Sequence, residues 1–232
     1  MSWPPPGSDA AAAQDTGSDV VGERRLPVVV ALLVAAALPV LMPDKLFPGP
    51  RWLAPSLTLV LLISMLVLDP GRIDRRGRRV RSVQVALLVV LALSTTYATV
   101  ALTDALIVGS SGITNSASAL LRAGGLVWVA LVITFALLYW ELDIGGPGER
   151  AHRARRYPDL AFPQDLNPDV SRPGWRPTFL DYLYLGVTNN LAFSPTDVMP
   201  LSHWAKIAMS LQSVASLLVV GLVIARAVNI FH

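Results

Sequence analysis

Residues 26–42, 52–68, 82–108, 117–139 and 204–231 are apolar runs almost free of charge. A helix rises about 1.5 Å per residue, so roughly 20 such residues cross a hydrocarbon core of about 30 Å. In lipid every backbone N–H and C=O must be satisfied within the chain, and a helix does this segment by segment. The runs therefore predict an all-α, polytopic transmembrane helix bundle. Only 15% of the chain is charged and its mean hydropathy is +0.52, against about 25% charge in a soluble domain. The lipid bilayer is thus the first expected partner.

The basic residues lie beside the apolar runs, and no nucleic-acid-binding motif accompanies them, so no nucleic acid partner is expected. There is no cysteine, and His152, His203 and His232 lie far apart. No cofactor and no metal site is expected. HExxH, GxSxG and P-loop patterns are missing, and the expected role is non-enzymatic. Only two lysines occur, Lys45 and Lys206, amid abundant arginine and alanine. That bias suggests a GC-rich bacterium and hence its inner, or cell, membrane.

Along the chain, residues 1–24 are rich in Pro, Ala, Ser, Gly and Asp and predict a disordered cytoplasmic tail. Residues 25–143 form a four-helix membrane region. Its central connection, 69–81, carries Arg72, Arg75, Arg76, Arg78, Arg79 and Arg81, which assigns it to the cytoplasm. The third run holds Ser94, Thr95, Thr96, Tyr97 and Thr99; such hydroxyls bond back to their own helix or to a neighbour. Asp104 is expected at the interface, facing water. Arg122 is placed to snorkel outward or to pair with it. Glu141 and Asp143 end the fourth run. Residues 144–177 read as a solvated cytoplasmic loop, basic first and then Pro- and Asp-rich. Asp159, Asp165 and Asp169 lack the spacing of a calcium loop.

Residues 178–232 predict a helix–turn–helix. Thr178 is the expected N-cap, with Asp181 three residues on. Thr188, Asn189 and Asn190 fall inside an apolar helix, where amides need partners. Ser194, Pro195, Thr196 and Asp197 break it. Ser210, Gln212, Ser213 and Ser216 of the final helix are the nearest candidate partners for the asparagines. Thr188, Asn189, Asn190, Ser194, Thr196 and Asp197 are the candidate lining of a polar path.

Two resemblances rest on these residues. The segment 183–200, LYLGVTNNLAFSPTDVMP, resembles the pore module of tetrameric cation channels, in which a pore helix, a TVGYGD filter and a proline precede an inner helix. Leu183, Tyr184, Asp197 and Pro200 match the pattern LYFSxVTxTTVGYGDxxP. The filter is replaced by residues 192–197, AFSPTD, with both glycines gone. Potassium filters use backbone carbonyls in conformations that glycine allows, so potassium selectivity is not implied. The last third also resembles an uncharacterised bacterial integral-membrane family, domain of unknown function 1345, at LAFPQD (160–165), FLDYLYLGVTNNLAFSPTD (179–197) and IARAVNI (224–230).

The expectation is six membrane helices, the fifth (178–198) short and crossing, with both ends of the chain cytoplasmic. An ion-channel-like or transport protein assembled as a homo-oligomer is one expected function. The alternative is a non-conducting structural or partner-binding membrane protein.

Overall fold

The computed structural model describes residues 23–47, 50, 52–68, 78–109, 116–151, 157–167, 169, 171–193 and 197–230. The tail at 1–22, most of the arginine-rich connection (69–77), and Ser194, Pro195 and Thr196 lie outside the described residues. Among the described residues the fold is all-α, apart from one two-residue strand pair.

Helix α1 (Leu26–Leu41) opens with Pro27, whose missing N–H costs nothing in a first turn, and it carries Pro39 in its last turn. A 3₁₀ turn at Asp44–Leu46 leads to α2 (Leu53–Leu68). Helix α3 (Arg78–Val108) and helix α4 (Ala117–Leu142) follow. A short α5 (Pro147–Ala151), β1 (Leu160–Ala161) and α6 (Pro163–Leu166) make up the next connection. Helix α7 (Phe179–Ala192), β2 (Met199–Pro200) and α8 (His203–Ile230) complete the chain. Helices α3, α4 and α8 are long and apolar enough to cross a membrane, and α1 and α2 are shorter apolar helices. The protein is a helical membrane protein.

Helix α4 is the centre of the packing. It touches α1, α3, α7 and α8, and Leu120, Ala123, Val127, Ala136 and Leu137 along it are buried. Two hydroxyls of α3, those of Thr95 and Thr99, behave as expected. Thr95 bonds Thr134 of α4 at 2.8 Å, and Thr99 donates to the Thr95 carbonyl at 2.8 Å. Asp104 and Arg122 are both exposed.

The six helices of the bundle are present, the fifth (α7) short, but α7 does not cross. Its contacts fix its direction. Gln212 of α8 bonds the Gly186 carbonyl, and Ser216, one turn further along α8, bonds the Asn190 carbonyl. Positions rise together, so α7 and α8 run parallel. Against α4 it runs the other way: Trp140 meets Phe179, and Asn190 reaches the Trp128 carbonyl. The chain then comes back. β2 pairs antiparallel with β1, Leu160 opposite Pro200 and Ala161 opposite Met199, beside the end of α4 where α7 began. The amide of Leu201 adds a bond to the Asp159 carbonyl at 2.8 Å.

Helix α7 is therefore a half-helix that re-enters the bundle. The shared-end expectation for the two chain ends is corrected by the same geometry. Glu23 sits at the Phe179 end, whereas Arg226, in the last turns of α8, lies against Gly109 at the far end of α3. Length alone misled: the 14 residues of α7 cover about 21 Å, equally consistent with a short crossing and with a half-helix.

Candidate functional site

Local sequence sets the start of α7 as expected. The Thr178 amide and hydroxyl both donate to Asp181 Oδ2, at 2.7 and 2.8 Å. The carboxylate satisfies a free helix-end donor and lies at the positive end of the helix dipole. Gly186 lets α7 sit close on α4: a Cβ there would lie 3.0 Å from the Val132 carbonyl oxygen and 3.4 Å from Ala136. Phe193 ends the helix in the left-handed region, at φ 54° and ψ 22°, a conformation that costs a non-glycine residue about 1 kcal/mol or more.

The half-helix is pinned to α4 and α8 by amides. Asn189, Asn190 and Gln212 are each 0% exposed. Asn189 Nδ2 donates to Gln212 Oε1 at 2.8 Å and to the Met209 carbonyl at 3.1 Å. Gln212 Nε2 donates to Asn190 Oδ1 at 2.9 Å and to the Gly186 carbonyl at 2.8 Å. Tyr139 of α4 donates to Gln212 Oε1 at 2.6 Å, and Ser213 Oγ to Asn189 Oδ1 at 3.2 Å. Buried amides in an apolar surround carry a high cost unless paired, and here each has partners from neighbouring helices.

The six residues read from the sequence as path lining therefore separate. Asn189 and Asn190 are inside the bundle. Thr188 is half-buried and donates to the Leu185 carbonyl at 3.1 Å. Asp197 is exposed, near the strand pair. Ser194 and Thr196 lie outside the described residues. Of the α8 residues, Gln212, Ser213 and Ser216 meet α7, while Ser210 faces outward and bonds its own helix at the Lys206 carbonyl.

A second polar cluster caps the other end of α7. Helix α4 ends at Asp143, where Ile144, Gly145 and Gly146 all have positive φ and reverse the chain. A Cβ on Gly146 would meet the Glu141 carbonyl oxygen at 2.9 Å. The turn brings Arg150 back under the helix end. Its Nη1 donates to the carbonyls of Trp140 (2.6 Å) and Asp143 (2.9 Å). Its guanidinium lies 5.0 Å from the Tyr182 ring centre, a cation–π distance.

Asp143 accepts the Tyr182 hydroxyl at 2.5 Å and the amides of Asp159 and Leu160 at 2.9 and 3.2 Å. Glu23 accepts the Trp140 indole N–H at 2.8 Å and the Phe179 amide. Burial pushes the Glu23 carboxyl above the usual carboxylate range, against the pull of those two donors and of Arg150.

The 144–177 connection is thus built in part against the bundle, which corrects its reading as a solvated loop. Leu160, Ala161 and Phe162 are buried, and Asp159 is half-buried with Ile144 donating to it at 3.1 Å. Asp165 and Asp169 are exposed as expected. No group of metal-ligating side chains occurs among the described residues.

Sequence reasoning missed Tyr139, Glu141 and Arg150 as buried polar groups. The visible signal was the triplet Trp140, Glu141 and Asp143 next to Gly145-Gly146, a helix end with its charges set among large aromatics. No protein-family model, curated protein or solved structure matches the chain.

Proposed function

We propose that this is a non-enzymatic, multi-pass protein of a bacterial cell membrane, ion-channel-like or transport-related, which works as a homo-oligomer. The observation that carries this reading is the ending of α7 partway along α8. Asn190 sits level with Ser216, 13 residues or about 20 Å along a 28-residue helix. The last turn of α7 has no further N–H of its own helix to meet its carbonyls, of which that of Asn190 takes the Ser216 hydroxyl, and the helix dipole turns its negative end inward. Half-helix ends of this polarity favour cations.

Broken backbone at membrane depth is tolerated only where protein or water covers it. Leu191 and Phe193, at the break, are 63% and 37% exposed in the single chain. Further copies of the chain supply that cover, and a cation path runs between them with Asp197 near its mouth. The order of half-helix, break, Pro200 and long last helix supports the likeness to a cation-channel pore module. The likeness to the uncharacterised family rests on the same segment. The arginines of 69–81 assign the Phe179 end to the cytoplasm, so the half-helix enters from that side.

Purified protein in liposomes is expected to pass a monovalent cation, with Asp197→Asn lowering the flux several-fold. An oligomeric preparation that passes neither sodium, potassium nor protons would sink the reading. It would leave the second one, a non-conducting structural or partner-binding membrane protein. That reading is favoured by one observation: the amides of Asn189, Asn190 and Gln212 are fully enclosed and engaged within the bundle.

A further inference from the structure

Three carboxyl groups, Glu23, Glu141 and Asp143, surround one arginine, Arg150, at the end of α4. Glu141 is 4% exposed, Asp143 0% and Arg150 6%. Glu23 and Asp143 are each held by donors, as described above. Glu141 is not: its Oε2 is buried and has no hydrogen-bond partner among the described residues.

The nearby cations do not make good the lack. Arg150 spends Nη1 on two carbonyls, and its Nη2 is buried without a hydrogen-bond partner among the described residues. Arg81 of α3, the other cation whose charge reaches Glu141, donates Nη1 to the Gly145 carbonyl at 2.9 Å. Arg150 is shared with Glu23 and Asp143, and Arg81 reaches Glu141 by charge alone, so among the described residues no cation gives Glu141 a hydrogen bond.

The Glu141 carboxyl borders a cavity between α1, α2, α3 and α4. Val28, Leu32, Met65, Leu87 and Leu137 form apolar walls, and Gln84 is the polar residue that shares the space. The residues that α1 and α2 contribute to the wall are not titratable. A bare carboxylate is poorly tolerated against such walls, whereas a carboxylic acid needs only one acceptor for its O–H, and the Gln84 amide lines the same cavity. The three side-chain oxygens of Glu141 and Gln84 are too few to hold a calcium ion, which takes six or more.

We propose that Glu141 is a proton-binding site, whose carboxyl carries a proton exchangeable with the cavity between α1, α2, α3 and α4. The site does not depend on cation flux through the protein, and its test reads the carboxyl directly.

The full-length protein in lipid is to be examined at neutral pH by infrared spectroscopy. A protonated-carboxyl C=O band is expected, shifted in heavy water and absent from Glu141→Gln. In parallel, wild-type protein is treated with dicyclohexylcarbodiimide, which partitions into lipid. The acid O–H adds across one C=N bond: the carboxyl oxygen bonds the central carbon and the proton moves to nitrogen. The adduct then rearranges to an N-acylurea with no atom lost, so the protein gains the mass of one reagent molecule. Peptide mapping is expected to place that mass on Glu141. A wild-type spectrum without the isotope-sensitive band, or mapping that finds Glu141 unmodified, would overturn the proposal. Both of these readouts stand on the wild-type protein even if Glu141→Gln fails to fold.

Discussion

Oε1 of Gln212 takes the Asn189 amide at 2.8 Å and the Tyr139 hydroxyl at 2.6 Å. One oxygen atom thereby joins α4, α7 and α8, and both of its lone pairs are in use. The half-helix is held at its deep end by side chains rather than by a second membrane crossing.

Removing that atom strands several groups at once. Gln212→Leu takes a partner from the Tyr139 hydroxyl, the Asn190 amide oxygen and the Gly186 carbonyl, and leaves the Asn189 amide only the Met209 carbonyl. Unpaired buried groups cost about 1–3 kcal/mol each in water-soluble proteins, and roughly 0.6 kcal/mol is typical of polar pairs between membrane helices. Gln212→Leu is expected to lower stability by about 2–4 kcal/mol. Asn189→Leu combined with it should cost less than the sum, by about 1 kcal/mol. Reversible unfolding in mixed micelles measures both; strict additivity would show that the two amides do not act as a unit.

Glycine positions give a paired comparison. Gly186→Ala pushes a methyl group to 3.0 Å from the Val132 carbonyl oxygen, which is backbone and cannot swing away. A loss of about 1–3 kcal/mol is expected, by overpacking. Nothing lies within 4 Å of a Cβ at Gly125 or Gly221. Alanine there should be neutral or stabilise by up to about 1 kcal/mol through helix propensity. Thermal unfolding of the three variants in one detergent decides; equal effects would contradict the close approach of α7 to α4.

Asp143 anchors the connection after α4 through one hydroxyl and two amides. Asp143→Ala should free the Asp159 and Leu160 amides and loosen the β1–β2 pair, while Tyr182→Phe, which removes one of the three donors, has a smaller effect. Hydrogen exchange over 157–162 is the measurement. Protection unchanged in Asp143→Ala would show that the strand pair holds without it.

Glu23 makes a pH-dependent contribution with a definite sign. Burial raises its carboxyl above the unfolded value, and the bonds from Trp140 and Phe179 only partly oppose this. A raised carboxyl contributes stability that is fully present below the unfolded value, about 4.3. That contribution is lost as pH rises through the folded value. The stability advantage of wild type over Glu23→Gln should therefore shrink from mildly acid to neutral pH, by at most about 1.4 kcal/mol per unit. A Tm series across that range tests it, and an advantage that grows with pH would reverse the sign.

The apolar runs were legible because lipid leaves a chain so few choices. α1 was expected at 26–42 and is found at Leu26–Leu41; the final helix, expected at 204–231, is found at His203–Ile230. The Thr178–Asp181 capping box was also readable, since a cap is local chemistry. The direction of α7 was not. It depends on Gly186 and Asn190 meeting Gln212 and Ser216, contacts between residues 26 apart in sequence, and periodicity is silent about them. Glu141, Asp143 and Arg150 look like an ordinary charged helix end. Only the turn at Gly145 and Gly146 folds them under the bundle, and two adjacent glycines do not by themselves specify which way a chain reverses.

The partners of the half-helix amides all lie later in the chain or in helices already made. Asn189 and Asn190 leave the ribosome before Gln212, Ser213 and Ser216 exist. Until α8 is complete, their amides have no partners from it that would let them enter lipid. The pairing of Asn189 with Gln212 and Ser213 is therefore an act of folding that follows synthesis, and α7 cannot complete it as it emerges.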